Sequence, residues 1–319
     1  MANSPLDGLK RRVKAGLAWL GAKRRAAALE KSAPHVTAEQ LAADLRGLGV
    51  APGDTLFVHS SMRSLGFVEG GPEAVIAALQ QAVGSTGTLL LPTYYLPGGT
   101  IGATCEMADY TFDPRVHGTN MGALPTAFLA TPGVRRSIHP THSVSALGRL
   151  AHELTADHHH APSVFGQGSP WQRFVEAPQA KVLGLGISMG PVTFYHLLED
   201  TMGDSFPLPV WTDRTYTLPC RDHEGQACTV PVRPFDAELT QRRIDQKPRA
   251  DLRHYFAAEF EQARLKTNGQ VGEGRSWLIP GPGFLDHLRL LASQGITIYA
   301  TADELAARPV HGAGLVPLR

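Results

Sequence analysis

The chain has 319 residues, is 43% hydrophobic and 18% charged, and carries a formal net charge of +1. This is the composition of a soluble globular protein with ample core for one large domain or two modest ones. A charge so near zero gives no global nucleic-acid footprint, no apolar run approaches the ~20 residues that span a bilayer, and no apolar stretch near the N-terminus marks a secretory signal.

Residues 1–34 read as a basic arm. Within 1–31, Lys10, Arg11, Arg12, Lys14, Lys23, Arg24, Arg25 and Lys31 face only Asp7 and Glu30, a balance of +6 against the whole-chain +1, so the rest sums to −5. Leu9, Val13, Leu17, Trp19 and Leu20 among these charges suit an amphipathic helix on an anionic membrane surface or a protein partner. The plainer explanation is a helix packed on its own domain through Leu17 and Leu20.

From Thr37 onward strands and helices alternate. Thr37-Ala38-Glu39-Gln40 is a capping box that opens a helix, and Gly47 or Gly49 closes it. Thr55–Ser61 reads as a buried strand, Gly71–Val83 as an amphipathic helix, Thr88–Tyr95 as a second strand and Met121–Ala130 as a helix. A short strand at His142–Leu147, a strand at Lys181–Ile187 and a helix at Val192–Met202 follow, with Pro191 at the first helical position. Beyond Pro207 the pattern changes to a hairpin, Thr212–Leu218 and Cys228–Val232, around Asp222–Gly225. Helices at Arg249–Arg264 and Gly283–Ser293, a short strand at Thr297–Tyr299 and a Gly/Pro-rich tail over 308–319 complete the chain. The expected fold is a layered α/β/α domain over 35–307, with a largely parallel central sheet and a smaller mixed C-terminal portion. Cys105, Cys220 and Cys228 are odd in number and match no metal spacing, which fits a reducing, cytoplasmic setting.

The stretch 181–203 holds two competing chemistries. Gly186-Ile187-Ser188-Met189-Gly190 matches a G-x-S-x-G nucleophile elbow between strand and helix, the mark of a serine hydrolase. Gly190-Pro191 then delays the helix that should begin directly after the serine, and the downstream partners His254 and His287, with Asp245, Asp251 or Asp286, have no distinguishing context. Alternatively, His196, Glu199 and Asp200 share one helix face, so a carboxylate beside imidazole would set up a general base without a covalent nucleophile. A surface helix with a charged face is the bland explanation for such a group. A zinc set of His196 and Asp200 with His139, His142 or His158–His160 is disfavoured, since HExxH and cysteine pairs are absent, and no metal is expected.

A second constellation ends the first buried strand. His59-Ser60-Ser61 precedes Arg63, Ser64 and Gly66 and then a helix, and these hydroxyls and loop N–H groups would suit a phosphate or a pantetheine amide. Simple N-capping by serine is the alternative. The loop is neither a Walker A sequence nor GxGxxG.

Three ordered blocks, FVHSSMRSLGFVEGGPEAVIAALQQAVGSTGTLLLPTYY, FDPRVHGTNMGALPTAFLATPGVRRSIHPTHSVSALG and FGQGSPWQRFVEAPQAKVLGLGISMGPVTFYHLLED, together resemble the aminoglycoside 3-N-acetyltransferase family. The likeness runs from about Thr37 to Leu305 and includes NGQVGEGRSWLI at Asn268–Ile279. It implies that family's own α/β fold, distinct from the GNAT fold, and acetyl transfer from acetyl-coenzyme A to a primary amine of an aminosugar or aminoglycoside-like acceptor. In the family's T-x-x-H-x-x-E stretch, here Thr193, His196 and Glu199, the histidine is the base and the glutamate supports it. His59, Ser60, Ser61, Arg63, Ser64 and Gly66 correspond to coenzyme A contacts, and Ser188 falls in a variable loop.

The departures concern the acceptor. Resistance members of the family often carry Asn-Pro where this chain has His139-Pro140, and extra acidic residues where it has Leu96-Pro97-Gly98-Gly99. Tyr94, Asp113, His139, His142 and Asp200 are therefore the expected acceptor contacts, in a site shaped differently from those members. The expected partner is a small-molecule amine, with no nucleic acid, and the sequence carries no signal for oligomeric state. A serine hydrolase using Ser188, and a non-catalytic coenzyme A-binding member, stand as the alternatives.

Overall fold

The computed structural model describes residues 34–310. The basic arm of 1–31 and the tail from His311 lie outside them. The chain opens with β1 (His35–Val36) and α1 (Ala38–Leu48), and the Thr37 hydroxyl accepts the Gln40 N–H at 3.2 Å. Gly49 ends α1 at φ 109°, a left-handed conformation that favours glycine. Next come β2 (Thr55–Ser60), a 3-10 turn at Met62–Leu65, β3 (Phe67–Val68), α2 (Gly71–Val83) and β4 (Thr88–Pro92). Short helices α3 (Ile101–Cys105) and α4 (Ala123–Ala130) lead to β5 (Arg135–Arg136) and β6 (Val144–Gly148). Then follow α5 (Ala151–Thr155), α6 (Pro170–Glu176), β7 (Ala180–Leu185) and α7 (His196–Met202). The hairpin β8 (Tyr216–Arg221) and β9 (Ala227–Val232) precedes α8 (Ala237–Arg242) and α9 (Ala250–Gln262). β10 (Thr267–Val271), β11 (Gly274–Pro280), α10 (Gly281–Ser293) and α11 (Ala302–Ala307) close the fold.

The main sheet has the order β10-β11-β7-β2-β4-β6-β5. β2 is parallel to both β4 and β7, whereas β10–β11, β11–β7, β4–β6 and β5–β6 are antiparallel. The layered α/β architecture is as expected, but parallel pairing is confined to the sheet's centre. One reason is connection length: Val271 pairs with Gly274, and so tight a turn joins only antiparallel strands. Side chains alternate across the sheet. Leu56, Val58, Leu89, Leu91, Leu183 and Leu185 pack under α1, α2 and α4, while Phe57, Leu90 and Val182 face Trp171, Phe174, Phe256, Phe260 and Phe284 on the opposite side.

Several local expectations change. The second strand stops at Pro92, which has no N–H to extend a ladder, so Tyr94 and Tyr95 leave the sheet. Asn268–Ile279, given no element above, supplies β10 and β11 at one edge of the main sheet, so the C-terminal portion is not set apart. Of the strands beyond Pro207, β8 and β9 pair outside the main sheet, over a small cluster of Cys105, Tyr110, Phe112, Ile138, Leu218, Cys220, Val230 and Val232. Thr297–Tyr299 forms no strand; its backbone is tied instead to residues 242–249. Pro191 precedes a 3-10 turn at Thr193–Tyr195, and α7 proper starts at His196. No helix among the described residues is long and apolar enough to cross a membrane.

Candidate active site

The site grows from the end of β7. A Cβ placed on Gly184 would lie 2.0 Å from the Trp277 indole, so glycine lets that ring cross the strand. The indole N–H then donates to the Ile187 carbonyl at 2.9 Å and fixes the loop that leads to α7. At the first residue of α7, His196 Nδ1 meets Glu199 Oε2 at 2.9 Å, the one-turn neighbour that the i, i+3 spacing predicts. Glu199 is 2% exposed, and its other oxygen, Oε1, accepts the Tyr299 hydroxyl at 2.7 Å. Burial first, and Glu199 second, hold the Tyr299 phenol well above its ordinary range, so it stays a donor.

Aromatic rings enclose the imidazole. Phe165 and Phe235 lie with centroids 5.2 and 4.6 Å from that of His196, and Trp211 stacks on Phe235 at 4.2 Å. Arg243 sits 5.5 Å over the Phe235 ring and grips Asp245 through two bonds of 2.7 and 2.9 Å. Burial alone would raise the Asp245 carboxyl, but that grip, helped by His196, holds it below the usual range.

Glu199 and Asp200 open onto a cleft of about 640 Å³, whose other acidic members are Asp204 and Asp213, with Arg233 also in its lining. Trp211, Phe206 and the Pro207–Pro209 turn form its apolar wall. Burial pushes the Asp200 carboxyl up, although it accepts the Phe165 N–H at 2.7 Å. Tyr94 and Thr193 are near one another in the interior, and neither hydroxyl has a hydrogen-bond partner of normal geometry.

The remaining expected residues are scattered. His139 and His142 are buried and absent from the cleft lining: His139 stacks on His158 at 4.6 Å, and His142 packs against Tyr94 and Phe165 at 4.7 and 5.0 Å. His196 is absent from that lining as well. Asp113 is not in the cleft lining; Arg115 holds it by bonds of 3.0 and 2.8 Å and lowers its carboxyl to about 2. His59 is buried on the Phe57 side of the sheet with Nε2 unpartnered, and burial lowers it to about 3. Ser61 and Ser64 share a 3.0 Å hydroxyl bond on the exposed turn, where Arg63 has no ion pair among the described residues and Gly66 is half-buried. Ser188 is exposed, and its hydroxyl meets only the Gly190 N–H at 3.4 Å, so no serine–histidine pair forms. Tyr299, Arg243 and Phe235 were missed because they are distant in sequence from His196 and match no motif, and Phe165, which opens the third of the resembling blocks, carries no group that marks it as functional.

A layered α/β scaffold thus presents a buried histidine–carboxylate pair whose carboxylate lines an acidic cleft. Comparisons with known proteins assign the family. Residues 57–291 match the model of the family described as aminoglycoside 3-N-acetyltransferase. Aminoglycoside N(3)-acetyltransferase III of Serratia marcescens is 35% identical over 254 residues, covering 76% of this chain and 91% of that relative. The AAC-IIIb binary structure with CoASH is similar at 28% identity and a TM-score of 0.65, covering 80% of this chain and 95% of that one. AAC-VIa bound to sisomicin gives 27% identity and a TM-score of 0.65, covering 80% and 96%. The chain belongs to the aminoglycoside 3-N-acetyltransferase family, and it is an enzyme of that N-acyltransferase type. Acetyl-coenzyme A is the family's acyl donor.

Proposed function

We propose that this protein acetylates a primary amine of an aminosugar or aminoglycoside-like acceptor by direct transfer from acetyl-coenzyme A, with His196 as general base. The observation that carries the reading is the buried His196–Glu199 pair at the head of α7, with Glu199 and Asp200 opening onto an acidic cleft of about 640 Å³.

An alkylammonium has no lone pair, so the acceptor must lose a proton before its nitrogen reacts. Glu199 on Nδ1 fixes the imidazole tautomer and leaves the lone pair on Nε2, where the proton is taken; the glutamate charge then compensates the imidazolium. Asp200, Asp204 and Asp213 offer negative charge to the other ammonium groups of a polycationic acceptor. Thr193 and Tyr94, with hydroxyls free of normal bonds, serve as donors to the acyl carbonyl oxygen.

The residues at the end of β2 fit the acyl donor. Ser60, the Ser61–Ser64 turn, the exposed Arg63 guanidinium and Gly66 offer hydroxyls, N–H groups and a positive charge to phosphate and amide oxygens, and the orphaned His59 Nε2 lies beneath them. Acetyl-coenzyme A, when bound, supplies an acyl group activated as a thioester. A covalent serine is not part of this mechanism, and residues 35–307 act as the catalytic domain. Asp113, His139 and His142 have structural roles in it.

The test is free-thiol release from acetyl-coenzyme A across a panel of aminoglycosides and aminosugars, with the acetylated position read by mass spectrometry. Saturable release with at least one amine is expected. Release with none of them sinks the proposal, and fluorophosphonate labelling of Ser188 would favour a hydrolase.

A further inference from the structure

We infer that Tyr299 is a positioning residue for the base: its hydroxyl holds Glu199 Oε1, so that Oε2 stays on His196 Nδ1. The inference rests on His196 being the base. A carboxylate has two oxygens, and one bond from imidazole does not stop it from turning about its terminal torsion. A buried carboxylate oxygen left without a donor carries its full desolvation cost, so the second oxygen also calls for a partner. Tyr299, itself 1% exposed, is that donor at 2.7 Å.

The backbone around Tyr299 is built to keep it there. It lies between α10 and α11 in a segment without regular structure, where carbonyls would otherwise lack partners. The Ile244 N–H donates to the Ile298 carbonyl at 2.9 Å, the Arg242 guanidinium to the Tyr299 carbonyl at 3.0 Å, and Arg249 to the Ala300 carbonyl. Three consecutive carbonyls are thus pinned by one neighbouring stretch, and that anchoring makes a single phenol position possible.

The choice of a phenol has a chemical reason. A guanidinium on Oε1 would neutralise Glu199 and cancel the charge that stabilises the imidazolium. Arg243 is near, but its Nε and Nη2 donate to Asp245 and no bond to Glu199 forms. A neutral donor orients the carboxylate and withdraws only part of its charge. The other charged or titratable groups acting on the pair are Asp200, which interacts with both Glu199 and His196, Asp245 and His142, which interact with His196, and Arg243, which interacts with Glu199.

Tyr299→Phe removes the hydroxyl and keeps the ring. With the whole carboxylate charge returned to His196, the acid limb of the kcat/KM profile should move upward by roughly half to one pH unit. kcat should fall about tenfold while KM for both substrates holds, the scale of one hydrogen bond to a charged group. Adding Tyr299→Phe to Glu199→Gln should cost nothing further. If the phenylalanine variant does not fold, a fluorotyrosine inserted at 299 by codon suppression keeps the size and strengthens the donor, and should shift the acid limb downward. A wild-type profile and kcat in Tyr299→Phe, a further loss in the double variant, or an unmoved limb with fluorotyrosine would overturn the inference. His196→Ala separates the two claims. Should that variant turn over normally, the base reading itself fails; should it be dead while Tyr299→Phe is wild type, only the role of Tyr299 fails.

Discussion

His59, His139, His142, His158 and His196 are all buried, yet their partners divide them into two kinds. His139 Nδ1 accepts the His142 N–H at 3.0 Å, His142 meets the Thr141 hydroxyl at 2.8 Å, and His158 joins the Ser137 hydroxyl and the Val164 carbonyl at 3.0 Å each. No carboxylate bonds any of these three, nor His59, and burial drives all four far below the ordinary imidazole range. They stay neutral in the fold. His196 alone of the five has a carboxylate on its ring, and that carboxylate is itself held. Burial without a charge partner keeps a histidine neutral, whereas a carboxylate on the ring offers a counter-charge to an imidazolium.

This contrast can be broken most directly at the base. His196→Ala should lower kcat by about 10² to 10⁴ while coenzyme A still binds, as seen by calorimetry beside a turnover assay. Normal turnover in that variant would place His196 with the neutral histidines.

Glu199→Gln should cost about one to two orders of magnitude in kcat, because an amide orients the ring but leaves the imidazolium uncompensated. Equal activity in this variant would mean that the carboxylate charge does not matter.

The neutral group makes a prediction about stability. A histidine kept neutral by burial takes up a proton on unfolding, so its stabilising share is present above pH 6.5 and is lost as pH falls toward the folded values, about 3 for His59 and His158. Between pH 6.5 and 5.5 each such residue should cost about 1 kcal/mol of unfolding free energy. Urea titrations at the two pH values measure the slope, and His59→Phe should flatten it by one residue's share. A slope unchanged in that variant would show His59 to be protonated when folded.

Ser188→Ala should change least, leaving kcat within about twofold, because its hydroxyl touches only its own turn. Loss of activity there would replace the base mechanism by a nucleophilic one.

Much of the scaffold was legible because it is local. Gly71–Val83 is a helix over the span its periodicity gives, Thr37 caps where expected, and β2 begins at Thr55. The His196–Glu199 pair was readable for the same reason: spacing of three along a helix places two side chains together whatever surrounds them. What the sequence left unread is what distant segments bring together: packing against Tyr94, Phe165 and His158 buries His139 and His142.

The sequence by itself determined the alternation of strands and helices, the family, and the identity of the candidate base and its carboxylate. These follow from short-range periodicity and from motifs kept in order along the chain. Tertiary structure decided that the sheet is parallel only at its centre, that the cleft is walled by the stretch from Pro162 to Arg233, and that Glu199 has a second partner. Tyr299 lies 100 residues from Glu199, and no local pattern couples positions so far apart. Only the burial of one carboxylate, which needs a donor for each oxygen, brings the two together.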